Sequence, residues 1–424
     1  MIKIVVLIIF YFTFPLVIIY LCKRWKLFKK LGSIVIAYGF GILLSITGII
    51  PEGSEAYRMA LEGRAALPSE EAQALITSGT ISEDDIFANR IASTQDMMIS
   101  VIIPLAFPLL LFSLNIKRWL KYAKEGFFSM FLALVSVIAV IFSGYFIFRD
   151  IVPDCWKVGG MLVGVYTGGT PNLVSLKLAL GVEPNLFIMT NTYDMMTGAA
   201  TIIFFITLGP TLFRKILPPF KYIGSSTDEV DGFVREAESF EDYSGMFRKG
   251  VLADLLKALV LAILIFVASV GISMLLPSVP QMVVVILSIT TFSIIASLIR
   301  WVNKIDKTFQ LGMYFILVFS LAVASMADLG AFFNIGMLGL FLFVTWAYFG
   351  SLVLHFLLSK IFKIDADNYL ITTTALVFSP PFVPVVAGAL RNREVIITGI
   401  TVGICGYLIG NYAGVAMGFF LRGL

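Results

Sequence analysis

Charge is the first thing this sequence has little of. Asp, Glu, Lys and Arg make up 14% of its 424 residues, against about 25% in soluble domains. That shortage excludes a soluble enzyme, a disordered chain and a nucleic-acid-binding protein. Cysteine is also scarce. Cys22, Cys155 and Cys405 form no CxxC pair, so neither a disulfide framework nor a metal cluster is expected. No Walker motif is present, which argues against ATP-driven pumping. The alternating ten-residue strands of a membrane barrel are missing as well.

What the chain has is apolar length. Hydrophobic residues make up 59% of it and the mean hydropathy is +0.95. Runs of about 20 apolar residues recur, each long enough to cross a bilayer as a helix. Backbone polar groups in lipid must be satisfied within the segment, so an all-α polytopic membrane protein is expected. Ten full spans are read at about 2–21, 31–50, 97–114, 127–148, 185–212, 252–276, 281–299, 308–327, 335–358 and 394–421. The residues before Cys22, Ile18-Ile19-Tyr20-Leu21, lack the small residues of a cleavage site, so the first span is expected to be retained.

Two further apolar segments differ from the spans. Residues 156–181 carry Lys157, Lys177 and the turn Gly168-Gly169-Thr170-Pro171-Asn172, and residues 370–390 carry Pro380, Pro381 and Pro384. Proline removes a donor and clashes with the preceding turn, so neither makes a good straight helix. The distribution of Lys and Arg decides how they lie. If both are re-entrant hairpins, one face collects 22 of the 31 basic residues and the other 7. If both cross fully, the split becomes 11 inside against 18 outside. The hairpin arrangement places both termini outside. The outside loop 51–95 fits this orientation, with no Lys, three Arg and eight acidic residues. Loops 51–95 and 213–250 are both expected to be solvated and poorly ordered.

The two halves share one pattern of four spans, a broken hairpin and a polar-dotted fifth span. Residues 1–212 would form a first repeat, 213–250 a cytoplasmic linker and 251–424 a second repeat. The first half starts outside and the second inside, which makes an inverted-topology repeat, the plan of many secondary transporters.

A helix broken at membrane depth exposes amide ends and carbonyl ends that suit an anion and a small cation. Gly168, Gly169, Thr170, Pro171, Asn172 and Ser175 are the candidates at the first tip. Thr372, Thr373, Thr374, Ser379, Pro380 and Pro381 are the candidates at the second. Asp194 lies near the middle of its span, where an ionisable group is costly and a functional candidate. Its carboxylate suits Na⁺, or a proton. Asn191 and Thr190 lie one turn earlier on the same face. A structural pairing of Asp194 with Lys177 is the plainer alternative. Asn411 and Tyr412 occupy the matching depth in the last span, among Gly403, Gly406, Gly410, Gly414 and Gly418. Those glycines suit close helix packing. His355, near the inner end of its span, and Asp328, at a short outside loop, read as structural or solvated.

The run Gly168-Gly169-Thr170-Pro171-Asn172, the following Ala179-Leu180-Gly181, the polar span around Asp194, and the closing Gly403-Ile404-Cys405-Gly406-Tyr407-Leu408-Ile409-Gly410-Asn411-Tyr412 resemble the YjcL-like family of bacterial integral membrane proteins. The architecture is also similar to that of sodium/glutamate symporters. That likeness implies Na⁺-coupled uptake of a small carboxylate by an elevator-like movement. The second hairpin departs from the pattern, with Phe378-Ser379-Pro380-Pro381-Phe382 in place of paired glycines. The expected protein is a secondary transporter for a small organic anion such as an amino acid, dicarboxylate or short peptide. It would be coupled to Na⁺ or H⁺, hold no other cofactor, not be an enzyme, and form a homodimer in the lipid bilayer. The alternatives are a monovalent cation/proton antiporter and, distantly, an intramembrane aspartyl protease pairing Asp194 with Asp328.

The charge split makes a topology prediction. In a background lacking the three native cysteines, a cysteine introduced at Ser239 is expected to resist an impermeant thiol reagent added to intact cells and to react once the membrane is opened. Labelling from outside would overturn the hairpin arrangement.

Overall fold

The computed structural model describes residues 2–25, 28, 32–61, 64–113, 116–220, 227–240, 242–327 and 335–424. Among the described residues there are helices and no strands. The chain opens with α1 (Ile2–Arg24) and α2 (Ser33–Ile46). Two short helices, α3 (Glu55–Ala60) and α4 (Ser69–Thr77), lead into α5 (Glu83–Phe112). After α6 (Ile116–Phe148) comes a broken pair, α7 (Cys155–Gly168) and α8 (Thr170–Ala179). Next are α9 (Pro184–Thr207), α10 (Gly209–Ile216) and the linker helix α11 (Thr227–Ser239). The second half begins with α12 (Lys249–Leu275), α13 (Gln281–Ser297), the single turn α14 (Arg300–Asn303), α15 (Thr308–Ala324) and α16 (Ile335–Ile361). A second broken pair, α17 (Ala366–Val377) and α18 (Val383–Leu390), is joined by a 3₁₀ turn over Pro380–Phe382, and α19 (Val395–Arg422) closes the chain.

Each of the ten expected spans contains a helix, yet among the described residues six helices are long and apolar enough to cross a membrane on their own, or seven if α9 and α10 are one bent span. The expected spans 31–50, 281–299 and 308–327 fold as helices of 14, 17 and 17 residues. A 14-residue helix reaches about 21 Å, short of a 30 Å hydrocarbon core. The expected straight span 185–212 bends by 69° between α9 and α10. Gly209-Pro210 stands at the bend, where proline cannot continue the helix ladder. The span expected at 97–114 begins much earlier, at Glu83, behind a capping box between Ser82 and Asp85.

Both long connections are more structured than expected. In 51–95, Tyr57, Leu67, Ala72, Ile81 and Ala88 build a small apolar core under α3 and α4. In the linker, α11 lies on α18 and α19 and buries Phe233. Just beyond α11, Phe240 stacks on Phe309 at 4.4 Å. Arg393 meets Asp231 at 3.0 Å and Lys307 meets Asp242 at 3.1 Å. The Ser244 side chain and amide, with Lys307, hold the Asp242 carboxyl at about 2, so the anchor stays ionised at neutral pH.

The closing helix organises the centre. Its glycines meet the two broken pairs in strict order. A Cβ at Gly399 would come within 2.6 Å of Val383, and one at Gly403 within 2.8 Å of Pro380. At Gly406 it would collide with the Thr167 carbonyl oxygen and lie 3.0 Å from Leu376. At Gly410 it would strike the Asn172 amide, at Gly414 lie 2.7 Å from the Gly160 carbonyl, and at Gly418 lie 3.2 Å from Leu180. The second broken pair therefore runs along the N-terminal half of α19 and the first along its C-terminal half, and they meet at Gly406. From Gly399 to Gly418 the helix rises about 28 Å, close to the thickness of a hydrocarbon core.

Each broken pair is pinned at its base by a cation on a helix-end carbonyl. Lys157 donates to the Gly181 carbonyl at 3.1 Å and to Asp154 at 2.7 Å. Arg214 grips the buried Asp367 through two bonds of 2.8 and 2.7 Å and donates to the Leu390 carbonyl at 2.8 Å. Such a bidentate pair fixes orientation as well as distance. Arg214 lies on α10, so the bend after α9 carries the chain under the second pair.

Substituting Gly406 by Ala should lower the stability of the purified protein by about 1–3 kcal/mol or more, because the clash is with backbone. Gly271, with nothing within 4 Å of its Cβ position, is the control. Gly271→Ala should be neutral or stabilising by up to about 1 kcal/mol. Thermal unfolding in detergent compares the two, and equal losses would show that the α19 contact is not close.

Candidate functional site

The two breaks have the same backbone. Gly169 sits at φ 72°, ψ −167° and Ser379 at φ 75°, ψ 161°. This region is essentially reserved for glycine, and a side chain there costs about 1–3 kcal/mol. Ser379 thus occupies the glycine-type position of the second tip without being glycine. The tips touch each other, since a Cβ at Gly169 would overlap the Ser379 hydroxyl. Pro171 and Pro380 each open the helix that restarts beyond the break, where a missing N–H costs nothing.

The polar residues of the first tip turn inward. Thr170 is half-buried, while Gly168, Pro171, Asn172 and Ser175 are buried. Asn172 donates to the Gly406 carbonyl at 3.2 Å, and its own Oδ1 is buried without a partner. Ser175 returns its hydroxyl to the Pro171 carbonyl. At the second tip, Thr373 meets His355 at 3.1 Å, Thr374 bonds its own helix, and Thr372 is buried without a partner. Pro380 packs on Gly403, and Pro381 is half-buried in the 3₁₀ turn.

Asp194 lies midway along α9, with a buried Oδ1 that closes no hydrogen bond. The phenols of Tyr166, two residues before Gly168, and Tyr348, on α16, lie within electrostatic reach of it. Four residues on, Gly198 is 3.3 Å from the ring of Phe378 at the second tip, measured from its Cβ position. The carboxylate therefore stands beside the meeting point of the breaks. Its neighbours on α9 are placed differently. Thr190 gives its hydroxyl to the Leu186 carbonyl, and Asn191 reaches toward Met195 and Tyr38 of α2, with a buried, unpartnered Oδ1. Lys177 is not the counter-ion of Asp194. It is buried against Asp96 at 3.9 Å, near Glu183, which caps α9. Asn411 bonds Thr290 at 3.1 Å and keeps a buried, unpartnered Oδ1, while Tyr412 bonds Thr291 at 2.6 Å. Both therefore tie α19 to α13. Asp328 lies outside the described residues.

The amide and carboxylate oxygens Oδ1 of Asn172, Asn191, Asp194 and Asn411 are buried without partners in this region. Buried acceptors of this kind call for a donor or a cation. Among the described residues no group of three or more His, Cys, Asp or Glu suits a metal ion, and the unpartnered oxygens here belong to amides and one carboxylate, the hard donor type. Beside the site, an apolar cleft of about 250 Å³ lies between α9 and α16, lined by Thr201, Phe204, Phe205, Phe349 and Phe356 among others. The residues not singled out from sequence are Tyr166 and Tyr348. Their signal was the nearness of Tyr166 to the glycine pair and the polar spacing along α16.

Fold and site together define a multi-pass helical membrane protein built around two broken helices. The chain belongs to the family described as "Protein of unknown function (DUF819)", whose model matches residues 73–424. It is 26% identical over 333 residues to the "Uncharacterized membrane protein YjcL" of Bacillus subtilis (strain 168), covering 76% of this chain and 82% of that protein.

The tip contact makes a paired prediction. Gly169→Ala should destabilise by about 2 kcal/mol or more, through positive φ and the collision with Ser379. Ser379→Gly should be neutral or stabilising by about 1 kcal/mol. In the double variant the Gly169→Ala loss should shrink, and a double-mutant cycle on unfolding midpoints reads the coupling. Strict additivity would mean that the tips do not touch.

Proposed function

We propose that this protein is a secondary active transporter that moves a small organic anion, such as an amino acid, dicarboxylate or short peptide, coupled to Na⁺ or H⁺. The observation that carries this reading is the meeting of two broken helices from opposite ends of α19, beside the carboxylate of Asp194. Helix amide ends at the breaks favour an anion. Unpartnered oxygens and a carboxylate favour a cation. In this reading all ten expected spans cross the membrane, some of them short and tilted, and the halves 1–212 and 251–424 are inverted repeats joined by the linker.

The broken pairs and their partners α9 and α19 form the moving part. The helices α1 and α12, which leave most of their surface uncovered, form the scaffold and a homodimer interface. Both termini face outward from a bacterial inner membrane, and the linker is cytoplasmic. With the tips in contact, substrate enters only when the pairs separate, an alternating-access movement around a fixed midplane site.

Proteoliposomes test this directly. Uptake is screened over radiolabelled amino acids and dicarboxylates, with and without gradients of Na⁺ and of pH. Asp194→Asn keeps the size and removes the charge. It should abolish gradient-driven uptake while leaving expression and detergent monodispersity intact. Unchanged dependence on both ions in Asp194→Asn would make the residue structural.

A further inference from the structure

The polar surroundings of Asp194 continue past the tips. On α16, Tyr348, Ser351, His355 and Ser359 recur at three- and four-residue spacing and share one face. All four are buried, on a helix whose remaining surface is mostly apolar. Polar side chains inside a span are costly and turn toward protein partners or water. His355 has hydroxyls on both sides of its ring. Nδ1 is 3.1 Å from Oγ1 of Thr373 on α17, and Nε2 is 3.4 Å from Oγ of Ser129 on α6. A neutral imidazole donates at one nitrogen and accepts at the other, so it can pass a proton through.

A cavity of about 20 Å³ adjoins the ring, lined by Thr373, Ser351, Tyr166 and Tyr348 among others. That is room for one water in a mostly apolar wall, to which Thr373, Ser351, Tyr166, Tyr348 and His355 contribute. The Tyr166 and Tyr348 hydroxyls are buried, Tyr166 facing the Asp194 carboxylate and Tyr348 facing Thr201, and both lie within electrostatic reach of Asp194. From Tyr348 to His355 the helix rises about 10 Å. One turn further, Ser359 is a buried hydroxyl without a partner, near the end of α16. Among the described residues, the titratable groups around the ring are Tyr166 from α7, Tyr348 on α16 and Tyr369 from α17. The Tyr369 ring stands 4.9 Å away, and its hydroxyl is bonded to the Leu352 carbonyl. Asp194 from α9 lies behind the first two phenols, and α6 contributes Ser129.

We propose that this track is a proton path, with His355 relaying protons between the end of α16 and Asp194, so that the coupling ion is H⁺. The proposal rests on the reading of Asp194 as the coupling group. A proton is taken up at Nε2 on the Ser129 side, and the Nδ1 proton leaves through the Thr373 hydroxyl and the cavity water. The Asp194 carboxylate becomes a carboxylic acid. One proton enters and one leaves the ring, no electrons are transferred, and tautomer exchange resets it. The reverse sequence discharges the acid.

The experiment is a pH jump on the purified full-length chain, followed by infrared absorption of the protonated carboxyl group. Asp194→Asn identifies the band by removing it. His355→Gln keeps an amide for Thr373 and Ser129, and should slow the band's response at least tenfold while leaving its final amplitude unchanged. Thr373→Val removes the Nδ1 partner without touching the ring, and should slow it similarly. Size-exclusion profiles confirm that each variant is folded. Unchanged rates in both folded variants would overturn the relay. A band that follows Na⁺ and ignores pH would overturn the relay while leaving the transport reading standing. An Asp194 indifferent to both ions would overturn both.

Discussion

A helix interrupted at membrane depth leaves amides and carbonyls that lipid cannot satisfy, so protein must cover them closely. Here that cover is the glycine-lined face of α19. Backbone approaches backbone at Gly406, where no Cβ fits against the Thr167 carbonyl, and the Asn172 amide fills the space beside Gly410. Small residues of this kind let van der Waals packing act where the hydrophobic effect between helices is weak. Several side chains of the centre are arranged around that contact. It fixes where both tips lie along α19, with Tyr166 toward Asp194 and Phe378 against Gly198.

The same contact explains why the second tip tolerates Ser379. A backbone conformation reserved for glycine persists in another residue only when its surroundings over-determine it. Those surroundings are Gly169 opposite, Pro380 locked on Gly403, and the Arg214–Asp367 clamp at the base. The first pair has less need of strain because glycine already stands at its turn. Its base is held by the simpler Lys157 contact to the Gly181 carbonyl. Two unlike sequences thus reach one geometry, each with a cation on a carbonyl at or just past the end of its returning helix.

The polar side chains of the centre divide by how far their hydrogen bonds are satisfied. Thr190, Ser175 and Thr374 turn their hydroxyls back onto their own helices and read as satisfied packing. Asn172, Asn191, Asp194 and Asn411 retain buried acceptor oxygens, and Tyr166 and Tyr348 retain buried hydroxyls. Leaving such groups unmatched costs about 1–3 kcal/mol each, so they mark where ions, water or substrate would repay their burial. The linker adds a layer over this centre. Phe233 and Phe240, with the Asp231 and Asp242 ion pairs, dock it onto the second broken pair and its neighbours.

Hydropathy and proline placement were enough to locate ten helical segments and two broken ones, because a bilayer's thickness and the missing proline donor act on the local chain. Glycine at residue 169, the midspan carboxylate of Asp194 and the glycine spacing from 403 to 418 were legible for the same reason. The helices in 51–95 and 213–250 were not, since their apolar faces are short; α3 and α4 pack on a small core within their own loop, and α11 on the distant α18 and α19. The 69° bend at Gly209 and the 14-residue length of α2 also depended on packing. So did the partners of the buried polar groups. Sequence placed Lys177 near Asp194 in number, but α5 offered Asp96 instead. It put His355 near a span end, while tertiary contact set the ring between Thr373 and Ser129. Local composition determines which segments form apolar helices and where they break. Only the three-dimensional fold decides which buried oxygens are left facing one another, because that depends on side chains brought together from separate helices.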